Sequence, residues 1–429
     1  MTRLISKIKN LIRAPMHRIG AYTQLDMNYL VRGGFWLTFG QVVGIGSSLI
    51  VAIAYANLLP KEAYGLYKYI MSVAGILGVF MLTGMLTPIS RTVAKGKDTI
   101  LAGAIRYQLR WSSIFVAIST AAAAYYWLQG NQAIAWSLLI LAAGTPFIRS
   151  LNSFGSYLTG KKDFRLNTII DTISGLFVAA AVIATISITN SVIALIGVYA
   201  ASNLIANGAG YWVTTRKYPQ ATTAALDEDT KNFGKSLSVL GALGAIAQQL
   251  DKILVFKFSG TIELAIYSIA SAMPDRMKSF LKTLVALAFP KLVAKEFTDI
   301  RSSLRLRVLQ SMAIGGIAAG AYIAAAPIAF RYLFPEYQSA VFYSQIMALW
   351  LVFFVPMHYI GYIIHARKHV RTIYILESLT VAVRIGCYIL FAVLWGIIGI
   401  VISRVVSIGL IFLAHLIMWD WEEPKQHRA

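Results

Sequence analysis

Apolar stretches of about 20 residues recur along the chain between short polar connections, the length a helix needs to cross the hydrocarbon core of a bilayer. The pattern predicts twelve spans, at 33–58, 68–90, 108–128, 133–157, 166–188, 191–213, 233–258, 263–290, 305–330, 340–365, 371–395 and 397–419. Gln129-Gly130-Asn131-Gln132 and Trp395-Gly396-Ile397 are too short for anything but antiparallel helical hairpins. The expected fold class is an all-α polytopic membrane protein of twelve transmembrane helices.

A shift of 200 residues lays the first two spans without gaps over the seventh and eighth. Gly34/Gly234, Gly44/Gly244, Ile53/Ile253, Tyr67/Tyr267, Thr83/Thr283 and Val93-Ala94-Lys95/Val293-Ala294-Lys295 coincide. Six spans per half give both copies the same orientation, as in transporters built from parallel repeats. Two six-helix lobes around a central cavity are therefore expected, at 33–213 and 233–419. The polar stretch 214–232, with Asp227-Glu228-Asp229, is the linker between them. Residues 1–32 form a basic N-terminal segment and 420–429 a tail.

Composition agrees with the membrane reading. Of 429 residues 58% are hydrophobic and 13% charged, and the mean hydropathy is +0.66. The single cysteine, Cys387, falls inside a span, which leaves neither a disulfide framework nor a cysteine-based metal site. A net charge of +21 invites a nucleic-acid reading, but the distribution argues against it. With the N-terminus in the cytoplasm, the inner segments carry 28 Lys and Arg and the outer loops only Lys61, Lys68, Lys257 and Arg331. That asymmetry places both termini in the cytoplasm and sets the basic loops against anionic lipid. Thr2 to Arg13 interleaves Leu4, Ile5, Ile8, Leu11 and Ile12 with Arg3, Lys7, Lys9 and Arg13, the spacing of an interfacial amphipathic helix rather than of a secretory signal.

The remaining charges are the candidate chemistry. Asp275, Arg276, Lys278 and Lys282 follow Pro274 inside one span, and Arg384 sits in the middle of another. A charge at bilayer depth costs about 2.5–3.5 kcal/mol on insertion scales and survives only toward a bundle interior or a wet cavity. Arg384 lies about 16–20 Å from either end of its span at 1.5 Å per residue, too far to snorkel. Lys252, Arg404 and Arg149 join these as candidate contacts to an anionic guest, Arg by a bidentate fork and Lys as a point charge. An internal Asp275–Lys278 pair and an Arg384–Glu377 pair are the bland alternatives. Pro274 is expected to kink its helix. Asp251, Asp275 and Asp171 could carry a coupling ion or simply pair with cations. Arg276, Lys278 and Lys282 align with Ile76, Gly78 and Leu82, so the corresponding first-half helix manages without such charges.

Leu58-Leu59-Pro60-Lys61-Glu62-Ala63-Tyr64-Gly65-Leu66-Tyr67 resembles the hallmark of polysaccharide flippases of the Wzx type. Gly84-Met85-Leu86 with Arg91-Thr92-Val93-Ala94 is similar to the end of that family's second helix. The echo Ser259-Gly260-Thr261-Ile262-Glu263-Leu264-Ala265-Ile266-Tyr267 and the later Phe289-Pro290-Lys291 fit its seventh and eighth helices. The resemblance implies membership of the multidrug/oligosaccharidyl-lipid/polysaccharide exporter (MOP) superfamily. It implies transport of a polyprenyl-diphosphate-linked oligosaccharide across a bacterial inner membrane, with a polysaccharide polymerase and a chain-length regulator as further partners, in O-antigen or capsule synthesis.

The chain shows no glycine-rich phosphate loop, no HExxH, no Gly-x-Ser-x-Gly elbow and no large outer loop. No enzymatic activity, cofactor or metal is expected; His358 and His365 share a face but lack a carboxylate at ligand spacing. The competing readings are a cation-coupled drug extruder, which would prefer cavity carboxylates, and a polytopic acyltransferase, which would need an accessible base.

Overall fold

The computed structural model describes the backbone of residues 27–219, 226–293, 297–366 and 370–426, with side chains there except at 27–33, 35, 37, 279–280, 282–303, 365–371 and 420–426. The amphipathic helix expected at the N-terminus lies outside the described residues. Helices α1 (Met27–Leu58), α2 (Lys61–Leu77), α3 (Leu86–Ala94), α4 (Leu101–Leu128), α5 (Gln132–Leu151), α6 (Ser153–Gly160), α7 (Phe164–Ile188) and α8 (Val192–Lys217) make the first half. The second half holds α9 (Glu228–Val293), α10 (Phe297–Leu333), α11 (Ala340–Ala348), α12 (Leu351–Ala366) and α13 (Val370–Gln426). No strand occurs among the described residues.

The protein is an all-α, multi-pass membrane protein. Among the described residues nine helices are long and apolar enough to cross a membrane. Two of these, in α9 and α13, run through breaks at Gly260 (φ 87°) and Gly396 (φ 58°), where positive φ lets the chain leave the helix and turn back. A helix lies over each of the twelve expected spans.

The second span differs from expectation. The helix begins at Lys61 rather than 68 and stops at Leu77, and two 3₁₀ turns, Gly78–Phe80 and Thr83–Met85, lead into α3. Pro88 has no N–H to continue an α ladder back into this stretch. The backbone N–H of Gly84 is satisfied from outside, by Ser238 Oγ of α9 at 2.9 Å. The φ/ψ angles of α9 stay helical at Pro274, and the break inside α9 falls at Gly260.

The two halves meet along one antiparallel seam between α2 and α9. A Cβ on Gly65 would lie 1.9 Å from the Thr261 carbonyl oxygen, and one on Gly84 2.4 Å from the Ser238 nitrogen. Further along, Gly75 faces Gln249, the Tyr69 and Phe256 rings stack at 3.6 Å, and Thr92 and Thr230 hydroxyls hydrogen-bond at 2.8 Å. Small residues let backbones approach where hydrocarbon solvent supplies no hydrophobic drive, so contact area holds the pair together.

Away from this seam the core is asymmetric along the bundle axis. At the end holding the 59–60, 129–131 and 334–339 connections, one apolar cluster joins both halves. It includes Tyr55, Leu59, Tyr64 and Leu195 from the first and Leu264, Phe330, Tyr337 and Ile400 from the second. Asn57 Nδ2 donates to the Leu333 carbonyl there at 2.9 Å, and the Lys61 ammonium lies 5.2 Å from the Tyr337 ring. Toward the other end, which carries the basic connections, each half has its own core. One is built around Met85, Ile89, Leu101 and Phe154, the other around Ile360, Ile363, Phe412 and Trp419. Two cores that merge at one end and part at the other leave a wedge between them, widest at the basic end.

Replacing Gly65 by Val should push α2 and α9 apart and cost about 1–3 kcal/mol, as over-packing does elsewhere. Gly46, where an added Cβ would meet nothing within 4 Å, is the control. Thermal unfolding in detergent should show a clear loss for Gly65→Val and none for Gly46→Ala.

Candidate functional site

The wedge holds a cavity of about 710 Å3. Its walls are α1 from Gly40 to Tyr55, α7 from Asn167 to Val182, and the second arm of α9 from Ser268 to Arg276. Tyr64, Tyr67 and Lys68 of α2, with Tyr199 of α8, close it toward the merged core. A second chamber of about 260 Å3 adjoins it in the second half, sharing Lys252 and Asp275. Gln248, Gln249, Lys278, Trp350, Arg384, Tyr388 and Arg404 complete its lining.

These two spaces collect most of the cations singled out from the sequence. Arg276 faces the large cavity, Lys278, Arg384 and Arg404 face the smaller chamber, and Lys252 borders both. The split along one helix follows from 100° per residue: Arg276 and Lys278 point to different spaces, and Asp275 touches both. Lys282 lies outside the described side chains. Arg149 is placed elsewhere, in a pocket of about 50 Å3 with Gln108 and Asn152. Its guanidinium approaches Gly78, where α2 ends, and a cation there suits the negative end of a helix dipole.

Asp275 makes a long-range pair: Arg404 Nη2 meets Asp275 Oδ1 at 2.9 Å, joining α13 to α9. Lys278 sits over the Trp350 ring at 5.0 Å and the Phe354 ring at 5.8 Å. Asp251 is buried, accepting from the Tyr267 hydroxyl at 2.7 Å and from the Lys252 backbone N–H at 2.8 Å. Lys252 Nζ donates to Gln249 Oε1 at 3.1 Å. Of the three carboxylates that could carry a coupling ion, two are thus engaged within the second half. Asp171 faces the large cavity from α7. Among the described residues neither Arg276 nor Arg384 makes a salt bridge, and the stretched Arg384–Glu377 pair does not form.

The sequence pattern assigns Lys68 to an outer loop, and the structure corrects this. Lys68 projects from α2 into the roof of the large cavity, with its ammonium 5.1 Å from the Tyr64 ring and 5.9 Å from those of Tyr55 and Tyr67. Cation–π contact of this kind is worth about 0.5–2 kcal/mol and offsets part of the desolvation of the charge. Lys68 feels the charges of Lys252 and Arg276 across the cavity. The signal available in the sequence is Tyr64, Tyr67 and Lys68 at i, i+3 and i+4, one helix face with an aromatic rim. It is obscured because the lysine lies near the end of an apolar run.

Among the described residues, six cations, Lys68, Lys252, Arg276, Lys278, Arg384 and Arg404, line the two spaces against three carboxylates, Asp171, Asp251 and Asp275. His358 is occupied with its own helix, its Nδ1 3.0 Å from the Phe354 carbonyl, and no group of three His, Cys, Asp or Glu side chains could hold a metal among the described residues. His365 lies outside the described side chains.

The fold matches that of solved transporters of the MOP superfamily. A lipid II flippase MurJ in an inward closed conformation superposes with a TM-score of 0.66 at 14% identity, covering 91% of this chain and 87% of that one. An inward-facing multidrug resistance MATE family transporter gives 0.64 at 14% identity, covering 89% and 96%. A MOP superfamily transporter from Pyrococcus furiosus, whose binding pocket is described as having reverse polarity, gives 0.56 at 15% identity, covering 91% and 95%. A search of curated protein sequences finds no match. The family model described as polysaccharide biosynthesis protein matches residues 30–293, well over half of the chain, and the protein belongs to that family.

The Asp275–Arg404 bridge should show up in a double-mutant cycle. Asp275 is 42% exposed to the cavity and Arg404 15%, so the pair is softened relative to a fully buried one. A coupling of about 1–3 kcal/mol is expected between Asp275→Asn and Arg404→Gln in chemical unfolding of the purified protein. Strict additivity would show that the bridge does not hold α13 to α9.

Proposed function

We propose that this protein is a flippase that carries a polyprenyl-diphosphate-linked oligosaccharide across the inner membrane by alternating access. The observation that carries the reading is the convergence of Lys68, Lys252 and Arg276 on one large cavity at membrane depth. A diphosphate diester bears a negative charge on each phosphate, and leaving water costs it heavily unless fixed cations replace the lost hydration. Three cations from α2 and the two arms of α9 offer that replacement, and Arg276 can engage phosphate oxygens bidentately. The family membership agrees with a substrate in polysaccharide synthesis.

In this reading the two halves, 33–213 and 233–419, act as lobes joined by the 214–232 linker, and the basic end faces the cytoplasm. The wedge is then open inward. The headgroup enters from the cytoplasmic side while the polyprenyl chain stays in the bilayer. Rocking of the lobes about the α2–α9 seam would part the merged core at the far end and release the headgroup outside. No ATP-binding element occurs in the sequence, so the drive comes from an ion gradient, the membrane potential or consumption of the product. Asp171 is the cavity carboxylate open to a coupling proton or cation. A drug extruder for cationic guests fits less well, since Asp275 is engaged by Arg404 and Asp251 by Tyr267.

Replacing Lys68 by Met and Arg276 by Gln together removes two charge-assisted contacts, each worth about 1.5–3 kcal/mol. Flipping of a labelled undecaprenyl-diphosphate oligosaccharide in proteoliposomes should fall at least about a hundredfold. Size-exclusion behaviour and unfolding temperature should remain those of the wild type. Unimpaired flipping in a folded double variant would overturn the cavity-anion mechanism.

A further inference from the structure

The second span is broken, and α4 and α9 both pack on its part nearer the basic end without packing on each other along their length. Thr230, Gly234 and Ser238 of α9 lie against Thr92, Met85 and Gly84. Gln108 and Ser112 of α4 are buried and line the small pocket beside Leu82 and Thr83. The neighbouring stripe of each helix therefore faces the other across a groove whose floor is the broken span. On α4 this stripe is Tyr107, Arg110, Trp111 and Ile114, at i, i+3, i+4 and i+7. On α9 it is Lys231, Lys235 and Val239, at i, i+4 and i+8. Two contacts bridge the groove at its basic end: the Lys231 ammonium lies 5.7 Å from the Tyr107 ring, and that of Lys235 5.5 Å from the Trp111 ring.

The groove changes character along its length. Residues 111–128 of α4 and 236–250 of α9 include no Asp, Glu, Lys or Arg. Both helices thus turn from charged to uncharged at the height of the Lys235–Trp111 contact, the level at which an indole marks a membrane interface. On the apolar side of that level Ile114 and Val239 are exposed. On the other side Arg110 is exposed, and neither Arg110 nor Lys235 makes a salt bridge among the described residues, whereas Glu228 holds Lys231 at 2.7 Å. A cationic rim continued by an apolar groove has the polarity of a membrane lipid, phosphate at one end and acyl chains at the other. A soluble phosphate would use only the rim, and a zwitterionic lipid would bring a cation of its own toward Arg110 and Lys235.

We infer that the groove between α4 and α9 is a binding site for an anionic phospholipid of the leaflet at the basic end. Arg110 and Lys235 receive the phosphate, Trp111 stands at the level of the glycerol esters, and an acyl chain lies along Ile114 and Val239. None of these residues lines either cavity, so the site is separate from the one proposed for the cargo. Because α9 runs on through Gly260 into the arm that walls the large cavity, a lipid held here braces the seam where the second span has no continuous helix.

Tryptophan quenching tests this on the full-length protein in phosphatidylcholine nanodiscs, doped with a lipid brominated on its acyl chains. The Trp111 signal is the difference between the wild type and Trp111→Phe. Brominated phosphatidylglycerol should quench it at a mole fraction at least about fivefold lower than brominated phosphatidylcholine, the preference that cations at a membrane surface confer. Arg110→Gln with Lys235→Met should bring that ratio to about one, and Lys235→Arg should keep it. Lys95→Gln with Arg216→Gln removes the same charge from the basic end outside the groove and should leave the ratio unchanged. Equal quenching of the wild type by the two lipids overturns the site, and that comparison needs no variant that could misfold. A preference that survives Arg110→Gln with Lys235→Met, or that is lost equally in Lys95→Gln with Arg216→Gln, also overturns it in favour of a diffuse surface charge. Loss of the preference on adding inorganic phosphate at constant ionic strength would assign the rim to a soluble anion and overturn the lipid reading.

Discussion

An ionised side chain in hydrocarbon must find water or an opposite charge, and the arrangement of this molecule follows from that requirement. Lys68, Lys252, Arg276, Lys278, Arg384 and Arg404 lie at positions along their helices where lipid would penalise them. They are accommodated because the bundle is not solid. The halves share one core at the far end and keep separate cores at the basic end, and the space between them is where the charges point. A uniformly packed bundle of the same sequence would have to pair or neutralise each one, and among the described residues three carboxylates line this region.

The α2–α9 seam makes such an open arrangement mechanically tolerable. Gly65 of α2 and Gly84 of the turn beyond it bring the backbone close to that of α9, Gly75 lies against the Gln249 side chain, and the stacked Tyr69 and Phe256 rings add a contact between them. The tyrosines that close the cavity at its far end, Tyr55, Tyr64 and Tyr67, belong to the shared core and also cage Lys68.

Much of the fold is legible from the chain. Long apolar runs have few alternatives in a bilayer, since every backbone polar group must be satisfied within the segment, and a helix is found over each expected span. Glycines in short connections announce the hairpins, and Gly396 adopts the positive φ that such a turn needs. Legibility ends where helices contain irregular turns. The unwound stretch at Gly78–Met85 depends on a hydrogen bond from Gly84 to Ser238, a residue distant in sequence. The sequence pattern misplaces Lys68 for the same reason, because the end of an apolar run marks the edge of the membrane only if the helix ends there as well.

The sequence by itself determined that this is a helical membrane protein with cations where lipid forbids them, because hydropathy and charge are properties of single residues and their spacing. It could not determine which cations share a space. Arg276 and Lys278, two residues apart, face different cavities, while Lys68 and Arg276, over 200 residues apart, face the same one. Arg149 lines a separate small pocket and approaches Gly78, where α2 ends. Arg404 pairs with Asp275 across two helices and so leaves Arg384 as the chamber's unbridged guanidinium. Those assignments are set by helix phase and by contacts between distant segments, and they exist only once the helices have packed.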